Sequence, residues 1–266
     1  VLQEDAKAMS AVSDPFVVAC IPIRNRAWIV ERQLAAFQAQ RFERMVGFYL
    51  AGDCEDDTLG RLARRPAVTV EVFDTGCPAW HRSREPRYSL NDHANLALVY
   101  NRMIDRALEL WPQATHLWLC DSDVVPEPDC LRLLLEADKD VISAVVALGP
   151  EGPWNFMCEE NPVSKEAERS GTEETLLELV RYPFPVTFLS ACTLVKREVL
   201  ETLTRVTGYF DSSNVDMKTR DGCRFAPHPH SHDFPFVASL RAAGYYLWVH
   251  PLARTAHHIS ETEVYR

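Results

Sequence analysis

Residues 16–23, FVVACIPI, form an unbroken apolar run rich in β-branched side chains. A run this short with no polar face reads as a strand covered on both sides, the situation of a parallel sheet. His116–Cys120 (HLWLC) and Val141–Val146 share that character, and Met45–Ala51 and Val68–Phe73 add two further strands. Helical patterns lie between them. Ala27–Gln40 carries Val30, Leu34 and Phe37 on one face, and Asn91–Leu110 carries Leu96, Tyr100, Met103, Ala107 and Leu110. Pro128–Ala137 is a third helix. Strand and helix therefore alternate through residue 146, the pattern of a doubly wound α/β sheet whose ligands sit beyond the carboxyl ends of its strands.

The second half is less regular. Val186–Val195 reads as one buried strand, Phe234–Ala243 as a helix with Pro235 in its first turn, and Tyr245–His250 as the last strand. Gly149–Gly171 and Phe210–Ser231 read as loops beside a site. No Ser/Gly-rich linker divides the chain, so residues 1–266 are expected to form one domain, with 14–146 as one half and 147–266 as the other.

Composition narrows the function. The net charge of −10 argues against a general nucleic-acid or anionic-membrane coat. Arg61, Arg64, Arg65, Arg82, Arg84 and Arg87 still form a local basic stretch, interleaved with Trp80, His81 and Tyr88. It reads as a solvated loop with aromatic anchors, or as an acceptor-binding patch. The eight cysteines make no C-x-x-C pair, and Cys20, Cys120 and Cys192 lie in apolar runs as small hydrophobes. A reducing, cytoplasmic setting is expected. The opening VLQEDAKAMS shows no basic stretch followed by an apolar one, so no signal peptide is expected, and the missing initial Met points to a trimmed start. No apolar run is long enough to span a membrane. Walker-type, G-x-S-x-G and G-x-G-x-x-G patterns are all missing.

The chemistry concentrates in Asp121-Ser122-Asp123, directly after HLWLC. Two carboxylates at i and i+2 after a strand can both turn to a ligand at the sheet edge, and hard oxygen ligands suit Mg²⁺ or Mn²⁺. Alone, the pattern is more often a solvated strand-end turn. His228, His230 and His232 alternate in HPHSH and read as a polar loop or a Zn²⁺ or Ni²⁺ site. Trp154 and Phe156 fit a loop covering a ligand, or core packing.

Together these segments resemble the family-2-type glycosyltransferases with the GT-A fold. VVACIPIRNRAWIVERQLAAFQAQ looks like that family's first strand, loop and helix. HANLALVYNRMIDRALE followed by HLWLCDSDVVPEPDCLRLLLEA is similar to its helix, strand and D-x-D segment. FLSACTLVKREVLE and HDFPFVASLRAAGYYLWVHPLARTAHH resemble its acceptor-side blocks, and the four blocks stand in the family's order across most of residues 16–260.

The resemblance implies a Rossmann-like, mostly parallel sheet with helices on both faces and an acceptor-side extension. It also implies roles. Asp121, Ser122 and Asp123 would reach the ribose and diphosphate of a sugar nucleotide, with Asp121, Asp123 and His257 holding Mn²⁺ or Mg²⁺ and His258 the neighbouring candidate. Pro22, Arg24 and Arg26 would line the nucleotide pocket from the first strand–helix loop, and Asn101 and Arg102 would face the diphosphate. Asp233 would be the general base, although its place before a helix also suits an N-cap.

Two departures stand out. The base-reading position falls on Ala51 or Gly52, with Asp53 a substitute by a shifted turn, and the usual Glu-Asp pair is His232-Asp233. The implied activity is a metal-dependent hexosyltransferase using a nucleotide-diphosphate sugar, a UDP-sugar first, with inversion. The acceptor stays open. A glycan or small molecule is favoured, and hydroxymethylated bases of DNA are the minority reading. A sugar-1-phosphate nucleotidyltransferase is disfavoured because IPIRNRAW lacks glycine, and a non-catalytic glycan- or sugar-nucleotide-binding protein is the rival from another class.

Overall fold

The computed structural model describes residues 14–65, 68–74, 90–149, 154–157, 180–204 and 233–265. In chain order the elements are β1 Val17–Ile23, α1 Val30–Gln38, β2 Met45–Ala51, α2 Thr58–Ala63, β3 Val68–Val72, α3 Leu90–Leu110, β4 His116–Cys120, β5 Val124–Pro126, α4 Cys130–Glu136 and β6 Val141–Val145. They continue with β7 Phe156–Met157, β8 Phe184–Val186, β9 Phe188–Leu189, β10 Cys192–Lys196, α5 Arg197–Thr204, α6 Asp233–Ala242, β11 Leu247–His258 and β12 Val264–Tyr265.

The main sheet runs β12-β11-β6-β10-β4-β1-β2-β3, with β5 and β8 joined to β11. β4, β1, β2 and β3 are mutually parallel, as are β6 and β11, while β10 lies antiparallel between β4 and β6. Strands from both halves of the chain thus share one mixed, mostly parallel sheet.

Alternation along the apolar strands feeds two cores. Val18 and Cys20 of β1 join one with Tyr100, Met103 and Ile104 of α3, Val199 and Leu200 of α5, and Phe236 and Val237 of α6. Val17, Ala19, Ile21 and Ile23 join the other, against Val30, Leu34 and Phe37 of α1, Leu62 of α2, and Leu131 and Leu134 of α4. Neither face of β1 meets water, so its apolar run is unbroken. Trp118 of β4 is fully buried, with Phe37 edge-on at 5.2 Å between ring centres. Trp154 and Phe156 are partly buried against the first core, which favours the packing reading for both. Cys20, Cys120 and Cys192 are fully buried free thiols, the last two opposite each other across β4 and β10.

Three elements differ from expectation. Pro22 lies within β1, opposite Leu50, rather than on the loop. Pairing of β1 with β4 ends at Cys20, so the missing N–H costs no ladder bond there. The single strand 186–195 is three short ones, the last two separated where Ala191 turns the chain with φ 65°. The last strand does not stop at Pro251. It runs to His258 across an irregularity, where four residues of β11 advance against one of β6 between His250 and Arg254. No helix among the described residues is long and apolar enough to cross a membrane.

Gly52 ends β2 in close contact with β3. A Cβ there would lie 2.4 Å from the Phe73 carbonyl oxygen, a backbone atom that cannot step aside cheaply. At Gly60 the corresponding close atom belongs to the Asp57 side chain. Gly52→Ala is therefore expected to lower stability by about 1–3 kcal/mol, as overpacking does. Gly60→Ala should be neutral or mildly stabilising because Ala is the better helix former. Urea denaturation of the two variants checks the contrast.

Candidate active site

The carboxyl ends of β1 and β4 open at the same edge of the sheet, as their parallel pairing requires. β4 delivers Asp121-Ser122-Asp123 into a turn closed by the Val124 N–H donating to the Asp121 carbonyl at 3.1 Å. Three neighbours pin that turn. The Asp121 N–H donates to the Ala191 carbonyl at 2.8 Å, and the His258 N–H donates to the Asp123 carbonyl at 2.9 Å. From α1, the buried Gln33 side-chain amide donates to the carbonyls of Asp121 at 2.9 Å and Val124 at 3.2 Å. β5 then pairs antiparallel with β11, setting Val124 opposite His257.

The side chains form an acidic cluster with one cation on it. The Tyr100 hydroxyl donates to Asp121 Oδ1. Burial pushes the Asp121 carboxyl well above the usual carboxylate range, the charges of Asp123 and Asp233 add to the rise, and the Tyr100 hydrogen bond opposes it. The Asp233 charge acts on both Asp121 and Tyr100, which gathers the start of α6 to the same place. Asp233 is the first residue of α6 rather than the residue before it, so its carboxylate stands in the first turn at the positive end of the helix. Arg26, on the loop after β1, reaches Asp123 Oδ2 at 3.1 Å. His257 Nε2 lies 3.7 Å from Asp123 Oδ1, and its Nδ1 is 2.9 Å from the Ala147 carbonyl.

That last bond decides the imidazole's chemistry. A carbonyl only accepts, so Nδ1 carries a proton and Nε2 is the ring nitrogen that faces Asp123 Oδ1. His258, one residue on, points to the opposite face, where Arg32 donates to its Nδ1 at 3.0 Å. His257 is thus the histidine at the acids, and His258 belongs to the packing of α1. Among the described residues, no three His, Cys, Asp or Glu side chains stand close enough to form a finished metal cage. The donor set nonetheless fits a hard divalent ion: two carboxylates, an oriented imidazole nitrogen, and an excess of negative charge around a half-buried Asp121.

The other predicted residues spread along the same edge. Ser122 is buried within the turn. Arg24 is half-buried on the β1–α1 loop. Asp53 follows β2 with φ 49°, its N–H donating to Asp74 Oδ1 at 2.8 Å. Both acids line a cleft of about 400 Å³ with Ala51, Cys54, Glu55, Leu59 and Val72. Asn101 is half-buried on α3. Arg102 is exposed, and its charge assists Arg106 in holding the Glu71 carboxyl down, which sets it toward β3. The histidines of HPHSH and the aromatic and arginine residues 80–88 lie outside the described residues.

Sequence reasoning missed three parts. Tyr100 was only a member of an apolar stripe, yet its hydroxyl is at the centre of the site. Gln33 interrupts the buried face of α1 beside Leu34, a signal that it had backbone to satisfy. The third is buried Asn155, whose amide donates to the carbonyls of Ala144 at 3.0 Å and Ser190 at 2.7 Å, while its Oδ1 accepts the Val146 N–H at 2.8 Å. It braces the chain leading to Ala147.

No family model and no curated protein sequence matches the chain. Solved structures do. S. aureus TarS 1–349 in complex with UDP superposes with a TM-score of 0.54 at 12% identity, over 94% of this chain and 60% of that one. The fold is that of the GT-A glycosyltransferases. TarS 1–349 in complex with UDP-GlcNAc gives 0.52 at 14% identity, over 95% and 58%. The chain therefore spans about three fifths of these GT-A structures. A mannosyltransferase from Pyrobaculum calidifontis, in complex with GDP-Man and Mn²⁺, is a looser match at TM-score 0.46 and 14% identity.

Gln33→Leu strands two carbonyls of the acidic turn without their donor. The expected loss is about 1–3 kcal/mol of stability, the cost of leaving buried polar groups unpaired. Tyr100→Phe removes one hydrogen bond and should cost about 1 kcal/mol. Guanidinium denaturation of both variants measures the difference.

Proposed function

We propose that the chain is a metal-dependent glycosyltransferase that moves a sugar from a nucleoside-diphosphate sugar to an acceptor hydroxyl, with inversion. The observation that carries this is the gathering of Asp121, Asp123, Asp233 and His257 at the carboxyl edge of a GT-A-type sheet. Asp121, Asp123 and His257 would hold Mn²⁺ or Mg²⁺. Such an ion, when bound, supplies charge stabilisation to the departing diphosphate. TarS structures hold UDP and UDP-GlcNAc, which supports a UDP-sugar as the first donor to try.

The protein's own groups supply the remainder. Ser122, Arg24, Arg26, Asn101 and Arg102 are assigned to the donor's ribose and diphosphate, and Pro22 to the wall beneath them. Asp53 is assigned to the base, in the cleft at the ends of β2 and β3. Asp233 takes the proton from the acceptor hydroxyl as its oxygen bonds to the anomeric carbon. The bond from that carbon to the diphosphate breaks on the far side, and configuration inverts. The single domain would then divide into a donor half, about residues 14–146, and an acceptor half, about 147–266.

Thermal shift with UDP-, GDP-, CDP- and TDP-sugars, with and without Mn²⁺, tests the reading. A donor at a hundredfold excess over its Kd raises stability by about 2.7 kcal/mol. A metal-dependent rise for one donor, lost in Asp123→Ala, is expected, with slow metal-dependent release of free sugar. Binding with no sugar release under any condition would leave a sugar-nucleotide-binding protein instead.

A further inference from the structure

The contact between Arg26 and Asp123 carries a consequence for how cations enter this site. Arg26 comes from a fixed backbone. Its N–H donates to Thr58 Oγ1 at 2.8 Å, its carbonyl accepts the N–H groups of Ile29 at 3.0 Å and Val30 at 2.9 Å, and the next N–H, of Ala27, donates to Asp56 Oδ2 at 2.9 Å. From that anchor the guanidinium meets Asp123 Oδ2 at 3.1 Å, with the two side chains 29% and 18% exposed. The other oxygen of Asp123 faces His257 Nε2. One oxygen of the carboxylate is therefore held by a positive charge, and the other has His257 Nε2 at 3.7 Å. Arg26 Nε is buried and has no hydrogen-bond partner among the described residues. The fork is therefore only partly used.

We propose that Arg26 is a built-in counter-ion occupying the cation's place at Asp123, and that it is exchanged for a divalent metal when a nucleoside diphosphate arrives. The inference rests on the reading of this edge as a sugar-nucleotide site. A guanidinium within hydrogen-bonding distance of Asp123 opposes a second, doubly charged cation on the same carboxylate. A diphosphate offers that guanidinium a better partner, because planar N–H forks bind phosphate oxygens bidentately and Nε still has a bond to give. As Arg26 turns to the diphosphate, Asp123 Oδ2 is released to the metal. Metal and nucleotide then strengthen each other's binding by the same factor, as linkage requires. Arg26 is a positioning residue in this scheme. It governs when Asp123 is available and takes no part in bond making.

Mn²⁺ alone is the first probe, titrated against wild type and Arg26→Gln and followed by the electron paramagnetic resonance of free Mn²⁺. Arg26→Gln is expected to bind Mn²⁺ at least about tenfold more tightly, the equivalent of one charge-assisted hydrogen bond no longer to be broken. Arg26→Lys, which keeps the charge, should stay as weak as wild type. Asp123→Asn in the Arg26→Gln background should erase the gain, placing the ion at Asp123. Adding UDP or GDP should tighten Mn²⁺ binding strongly in wild type and much less in Arg26→Gln. Folded Arg26→Gln that binds Mn²⁺ no better than wild type overturns the proposal. So does Arg26→Lys that binds as tightly as Arg26→Gln, and if the glutamine variant fails to fold, Arg26→Ala takes its place in the same titration. If Arg26→Gln gains Mn²⁺ affinity but no nucleoside diphosphate binds either protein, Arg26 keeps its place as counter-ion and the sugar-nucleotide reading falls.

Discussion

The acidic turn after β4 keeps its shape through one side chain of another element. The Gln33 amide, buried under α1, satisfies the carbonyls of Asp121 and Val124 together. Without it, two carbonyls would face a core made of Val30, Leu34, Phe37 and Trp118. With it, the chain can turn sharply at a place with little water and still present Asp121 and Asp123 outward. Everything else in the site is arranged around that turn. β5 can pair with β11 only because the turn ends where it does, and His257 is opposite Val124 only because β5 pairs there.

Burial then gives the acids their character. Asp121 is half-buried, touched by Tyr100, and exposed to the fields of Asp123 and Asp233. A group of carboxylates in such surroundings is stable only with positive charge nearby or with a proton on one member. Among the described residues, Arg26 supplies such a charge. His257 Nε2 stands 3.7 Å from the opposite oxygen.

Much of this was legible in the sequence, and the reasons are local. β1, β4 and β6 are short apolar runs, so strands buried on both faces could be read from them directly. Asp121 and Asp123 were legible because they follow such a run, and His257 and Asp233 because their blocks resemble a family in order. What escaped depends on partners far along the chain. Nothing near Tyr100 announces that its hydroxyl will meet a carboxylate 21 residues away. The Asn155 bonds to Ala144 and Ser190 join segments that a pattern search treats separately. Ala191 at φ 65° broke an apolar run that periodicity reads as continuous, and Pro251 invited a stop that the sheet irregularity made unnecessary.

That irregularity gives β11 a further property. Successive residues of a strand face opposite ways, and here the two successive residues are both histidines: His257 toward the acids, His258 toward Arg32. Which of them meets Asp123 depends on the spare residues between His250 and Arg254, where β11 runs ahead of β6. A one-residue deletion there would turn the downstream strand over, carrying His257 to α1 and leaving a histidine facing the acids only if the slip also moved His258 into line. The three positions 251–253 act as a vernier for the whole edge. Their number, more than their identity, sets which histidine meets Asp123.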